Sequence, residues 1–203
     1  NIVVARTPAA VRRLEERRTG DLRWGYTEDE VQWLSAQELN ERIRVNGARG
    51  GLFYPTVGRV DPGQMVQSLA DLCERHGVTI LEDTKVTSIQ SGVVTTLRGQ
   101  VFAPKILRAT EGYSSTLAED SRKIIPINSS IIITEPLADD VWASIGWQDY
   151  ELLSDNAHVF SYLQKTDDGR ILLGGRGKPY RYGSNIMLDG STDPGTVQAL
   201  IAR

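Results

Sequence analysis

Residues 59–113 read RVDPGQMVQSLADLCERHGVTILEDTKVTSIQSGVVTTLRGQVFAPKILRATEGY. The stretch opens with a helix start. Asp61 carries a carboxylate that can accept from the first backbone amides, and Pro62 suits the first helical position, where its missing N–H costs nothing. Val66, Leu69, Ala70 and Cys73 recur at helical spacing and share one face, which is expected to be buried. Gly77 supplies the left-handed residue on which helices often end. Val78, Ile80 and Leu81 then read as a short apolar strand, so helix and strand together form the second half of a βαβ unit.

Three β-branched runs follow, at residues 84–89, 93–97 and 100–103. Ser91-Gly92 and Arg98-Gly99 punctuate them, which predicts an antiparallel meander. Residues 105–110 read as a further apolar strand, ending in Glu111, Gly112 and Tyr113. A meander placed between parallel strands is an informative topology that unrelated α/β domains can share.

The segments GLFYPTVGRVDPGQMVQSLADLCERHGVTILEDTKVTSI (51–89) and TTLRGQVFAPKILRATEGYSS (95–115) resemble the middle of FAD-dependent oxidoreductases of the D-amino-acid oxidase superfamily. The likeness points to the amine- and glycine-oxidase-like members, including gamma-glutamylputrescine oxidase-like proteins. It continues through IIITEPL (131–137) and DGRILLGGRG (168–177), and it spans about residues 34–177. The resemblance implies an α+β fold. Residues 50–113 would be a partial α/β layer of an FAD-binding domain. Residues 1–49 and 114–203 would form an antiparallel-sheet substrate-binding domain with helices.

In the resembled family a G-x-G-x-x-G turn at a helix N-terminus holds the pyrophosphate, because close backbone amides and the helix dipole favour its charge. This chain contains no such turn, nor the acidic residue expected after the next strand. The family's C-terminal segment over the flavin ring is also missing. The chain begins at Asn1 rather than at a methionine and is read as a middle fragment. The resemblance carries over two cofactor-facing pieces: Thr84 with Val86, whose family counterpart meets the adenine through its backbone, and Thr110 with Gly112. FAD is accordingly expected in the parent protein and not in this fragment.

Elsewhere the pattern is plain. Thr7-Pro8 starts a helix that Gly20 is expected to stop, and its many arginines read as a solvated face with Glu15 and Glu16 as partners. Ser35 to Glu38 form a capping box. Gly47, Gly50 and Gly51 read as a flexible turn before Leu52-Phe53-Tyr54. Residues 114–120 read as a weak helix. Residues 123–135 read as a long half-buried strand with Ile125, Ile127, Ile131 and Ile133 on one face and Asn128, Ser130 and Thr134 on the other. A short helix is expected at 137–145. Asp168-Gly169 turns a hairpin between 159–166 and 170–175, which is expected to end in a glycine-rich bend at 174–177. A helix is expected at 194–201.

Composition bounds the function. The chain has 203 residues, 40% hydrophobic and 24% charged, with a net charge of −3. Those values describe a folded protein with no electrostatic case for nucleic acid or an anionic membrane as partner. Cys73 is the only cysteine, so it is expected as a buried thiol. His76 and His158 lack ligand-spaced neighbours, so no metal is expected. Ser114 and Ser115 lack a G-x-S-x-G context, so no hydrolase triad is expected.

For a carboxylate-bearing amine, Arg176 is the fork donor of choice, and Tyr54, Tyr162 and Tyr180 are the aromatic candidates for a cation. Each has a plain structural alternative, as a sheet aromatic or a turn anchor. The leading expectation is a fragment of a flavoenzyme that oxidises the C–N bond of an amine or amino acid by hydride transfer to FAD, with C–O oxidation as a sister case. The alternative is a non-catalytic substrate-binding or interaction module that keeps the fold without flavin. No catalytic residue is identified. Further expectations are a cytoplasmic location and a homodimer through the sheet edge at residues 78–81 and 105–110.

Overall fold

The computed structural model describes residues 1–147, 149–176, 180–186, 190 and 192–202. They divide into two compact units. The first comprises Asn1–Arg59, Ser129–Gly177 and Thr192–Arg203; the second comprises Val60–Asn128 and Lys178–Ser191. The expected boundaries at 50 and 113 therefore move to 59 and 128.

The first unit is built on a seven-stranded sheet. Its strands are β1 (Ile2–Ala5), β2 (Gln32–Ser35), β3 (Gly50–Phe53), β7 (Ser130–Ile133), β8 (Leu153–Asp155), β9 (Ser161–Lys165) and β10 (Ile171–Gly175), in the order β2-β3-β1-β8-β9-β10-β7. β1 and β8 run parallel, with Ile2 opposite Leu153, and the other pairs are antiparallel. This pairing moves residues 50–53 out of the expected α/β layer, since β3 bonds to both β1 and β2. Gly50 and Gly51 are strand residues rather than a flexible turn. A methyl on Gly51 would lie 2.7 Å from the Val3 carbonyl oxygen, so glycine allows the close approach.

All four residues of β1 are buried, because both of its faces are covered. Val3 and Ala5 pack with Ala10 and Leu14 of α1 (Pro8–Arg23) and with Leu52. On the other face, Ile2 and Val4 meet Leu39 of α2 (Ala36–Arg42) together with Ile43, Trp147 and Leu153. Leu14, Leu39 and Leu52 are wholly buried, each contributing roughly 1.5–3 kcal/mol. α2 starts on the expected capping box: Ser35 Oγ accepts from Glu38 N–H, and Glu38 accepts from Ser35 N–H at 2.7 Å. α1 starts at Thr7 as expected but runs past Gly20 to Arg23. A helix tolerates glycine where no left-handed residue is required, and here the turn waits for Gly25, at φ 105°. The hairpin β9–β10 forms around Asp168 and Gly169.

The second unit contains α3 (Pro62–Arg75) and the meander β4 (Val86–Gln90), β5 (Val93–Thr96) and β6 (Gly99–Phe102). The Asp61 cap, Pro62 and the left-handed Gly77 are all present. Other expectations fail here. Residues 78–81 and 105–110 are not strands. No ladder in their own unit pairs them, and apolar propensity alone does not make a strand. The dimerising edge expected there is therefore not a strand edge. The apolar face of α3 is exposed, with Val66 at 63% and Leu69 at 52%, and Cys73 is exposed rather than buried. No other described element of the second unit packs on α3. Residues 111–116 form a short 3-10 turn in place of the expected helix.

The long strand expected at 123–135 shortens to β7. Ser130 and Ile132 are half-buried, while Ile131 and Ile133 are exposed at 52% and 53%. The apolar side of this strand thus faces outward. The short helix expected at 137–145 forms as α4 (Asp139–Ile145), ended by left-handed Gly146, and α5 is Pro194–Ile201.

Candidate functional site

Sheet register builds the first candidate surface. Tyr162 stands opposite Gly174, which stands opposite Ile131; one step along, Gln164, Leu172 and Ile133 form a parallel row. Directly paired residues share a face, so one side of β9, β10 and β7 carries an aromatic ring beside an aliphatic strip. The Tyr162 ring lies across Gly174, where a methyl group would collide with Cζ, Cε2 and the hydroxyl. Phe160 flanks it, with ring centroids 6.4 Å apart and planes tilted by 39°. Arg176 lies just beyond the end of β10, exposed, and makes no ion pair among the described residues. Gly174 and Gly175 belong to β10 itself, not to a terminal bend; Gly177 lies outside the described residues. Phe160 and the Tyr162–Gly174 pairing went unrecognised in the sequence pattern, although a glycine inside a strand signals close approach.

Tyr54 does not join this surface. Its ring is buried with α1, its hydroxyl donates to Asp21 Oδ2 at 2.7 Å, and the Arg17 guanidinium lies 5.2 Å from its centroid. Burial, and then the bond to Asp21, push the phenol well above its ordinary pKa. Tyr180 belongs to the second unit and is exposed.

The four cofactor candidates also belong to the second unit. Thr84 donates to the Glu82 carbonyl. Val86 opens β4, where the register slips between Val86 and Ser88. Such a slip leaves backbone groups free of the ladder. Thr110 Oγ1 lies 2.6 Å from Ser114 Oγ. Gly112 sits in the 3-10 turn and borders a cavity of about 400 Å³ with Ile125, Pro126 and Ile186.

A flavin dinucleotide also needs converging amides at a helix N-terminus. The described helices do not offer them. Thr7, Ser35, Asp61 and Asp193 cap α1, α2, α3 and α5 with their own side chains; prolines follow in α1, α3 and α5. The first turn of α4 holds Asp139 and Asp140, whose charges repel a phosphate. Among the described residues, no helix N-terminus therefore offers a pyrophosphate cradle. Among the described residues, no group of three or more His, Cys, Asp or Glu side chains could hold a metal. No described helix is long and apolar enough to cross a membrane.

A family model described as FAD dependent oxidoreductase (DAO) matches residues 1–203. A probable oxidoreductase, OrdL, from Haemophilus influenzae is 29% identical over 179 residues, covering 79% of this chain and 41% of its own. The sarcosine oxidase beta subunit of an Arthrobacter species is 24% identical, covering 71% of this chain and 38% of its own. Among solved structures, L-proline dehydrogenase from P. horikoshii superimposes with a TM-score of 0.77 at 18% identity, over 99% of this chain and 53% of its own. Glycine oxidase from Geobacillus kaustophilus gives 0.76 at 19% identity, over 99% and 52%. The chain thus spans about two fifths of these curated relatives and about half of these solved chains.

Proposed function

Since the chain belongs to the family of FAD-dependent oxidoreductases, we propose that its parent protein oxidises the C–N bond of an amine or amino acid. In that reading FAD, held largely by residues other than those described here, supplies the electron acceptor. The residues of this chain bind and orient the substrate.

The observation that carries the reading is the Tyr162 surface. An aromatic ring fixed on a glycine backbone offers its free side to a cationic amine. The adjoining Ile131, Ile133 and Leu172 form an apolar strip against which the aliphatic part of the substrate can lie. Arg176 is placed by the same hairpin, and its planar fork suits a substrate carboxylate. No proton transfer is assigned to any residue.

The test is spectroscopic. The full-length protein should show flavin absorption near ~450 nm, bleached under anaerobic conditions by an amine or amino acid. Bleaching by a polyol phosphate and by no amine would sink the C–N assignment. Absence of flavin from the full-length protein would leave the non-catalytic module as the reading.

A further inference from the structure

The sheet has a second usable face. Along β9 and β10, residues alternate sides, so Leu163 and Leu173 point away from Tyr162. On that opposite side, wholly within the first unit, lies a cavity of about 470 Å³. Its size falls in the range of small-ligand sites, about 300–1,000 Å³, and such sites combine an apolar body with a few placed polar groups.

The lining has that composition. Leu163, Ile171 and Leu173 form an aliphatic floor, with Trp147 and Arg44 among the walls. Arg44 is anchored at the end of α4: its Nη1 donates to the carbonyls of Ala143 and Ser144 at 2.8 and 3.0 Å. Its other guanidinium N–H groups have no hydrogen-bond partner among the described residues. Gly146, next to Trp147, lies against the same guanidinium. Trp147 is 3% exposed and forms an apolar wall of the cavity. Arg6 adds a second positive charge to the lining. The lining also holds one carboxylate, Asp155, whose Oδ1 accepts from Ser161 N–H at 3.0 Å and from Ala157 N–H at 3.3 Å.

We propose that this cavity binds an aliphatic monocarboxylate, with its chain on Leu163, Ile171 and Leu173 and its carboxylate toward Arg44. This site is separate from the Tyr162 surface and does not depend on the reaction proposed there.

Sodium octanoate, hexanoate and butanoate serve as probes, with octan-1-ol as the uncharged control. Each is titrated into the intact protein by calorimetry, with tryptophan fluorescence in parallel. Saturable one-to-one octanoate binding is expected, tightening about fourfold per added methylene. Octan-1-ol should bind at least about tenfold more weakly, because it offers no charge to the arginine. Leu173→Trp, which fills the floor, should abolish binding, and Arg44→Gln should weaken it at least about tenfold. Because Arg44 also holds the end of α4, that variant counts only if its melting curve matches the wild type. Leu173→Trp and the alcohol control decide the matter on their own. Absence of octanoate binding at millimolar concentration, octanoate binding that survives Leu173→Trp, or equal affinity for octan-1-ol would each overturn the proposal.

Discussion

The ring of Tyr162 rests on the backbone of Gly174, with Cζ, Cε2 and the hydroxyl filling the space that a side chain would need. The pair is a direct cross-strand match in the β9–β10 ladder. The ring's position is therefore set by an absent methyl group as much as by any contact.

Gly174→Ala should displace that ring. Overpacking of this kind costs roughly 1–3 kcal/mol, so the melting temperature should drop and the near-ultraviolet dichroism of the aromatics should change. In the full-length enzyme the substrate specificity constant should fall further than stability alone explains. An unchanged dichroism spectrum would show that Tyr162 is not held as described.

Arg176→Ala tests the substrate fork. Losing a charged hydrogen bond should cost roughly 1.5–3 kcal/mol of transition-state stabilisation, or about 10- to 150-fold in kcat/KM. Arg176 is exposed and makes no ion pair among the described residues, so the melting curve should barely move. Retained kcat and KM would remove Arg176 from the substrate site.

Tyr54→Phe should behave in the opposite way. It deletes the hydroxyl that donates to Asp21 Oδ2, at a cost of about 0.5–1.5 kcal/mol. Thermal stability should fall while steady-state kinetics stay at wild-type values. A kinetic defect with intact stability would return Tyr54 to the list of substrate residues.

Asp120 should give the second unit an acid-sensitive element. It is buried, with Lys123 Nζ at 2.9 Å and Arg108 also paired to it. The bond to Lys123, together with the nearby Arg108 charge, holds its carboxyl below the usual aspartate range. The folded state thus keeps the carboxylate ionised where the unfolded chain has already taken up a proton. The stabilisation is complete above the ordinary aspartate value of about 4 and disappears as pH falls through the lower folded value. Urea midpoints measured from neutral pH into that acid range should decline less steeply for Asp120→Asn than for the wild type. Parallel declines would rule out this role.

Residues 1–203 alone should purify colourless and bind FAD weakly, because every described helix N-terminus is capped by its own residues or carries acidic ones. Calorimetric titration with FAD checks this; tight stoichiometric binding would contradict the cap argument.

Local signals were legible in the sequence. Asp61-Pro62, the Ser35–Glu38 box, the meander glycines and Asp168-Gly169 each specify their structure within a few residues, and each forms. Pairings between distant segments were not. Nothing near Ile2 announces Leu153, its partner across the central parallel pair. Val78, Ile80 and Leu81 carry strand-forming side chains, but propensity cannot supply a neighbour for their amides. The helical period of α3 correctly marked its apolar residues and said nothing of what covers them. In β7 the apolar side was recognised, whereas its outward direction depends on which side of the sheet the helices occupy. The family likeness was readable from contiguous segments, whereas the Tyr162–Gly174 contact needed the hairpin register.

The parallel pair of β1 and β8 has a temporal consequence. Its two strands lie far apart in the sequence, and residues 60–128 of the second unit come between them. On a ribosome, β1 emerges before β8 and must wait with one edge unmatched until β8 has been made. Sequence-distant pairing of this kind slows folding, while the intervening unit, whose meander closes locally, can organise ahead of it. The zipping of Leu153–Asp155 onto β1 is then a late event relative to the local turns. Until that moment, Ile2–Ala5 is an apolar strand with one open edge.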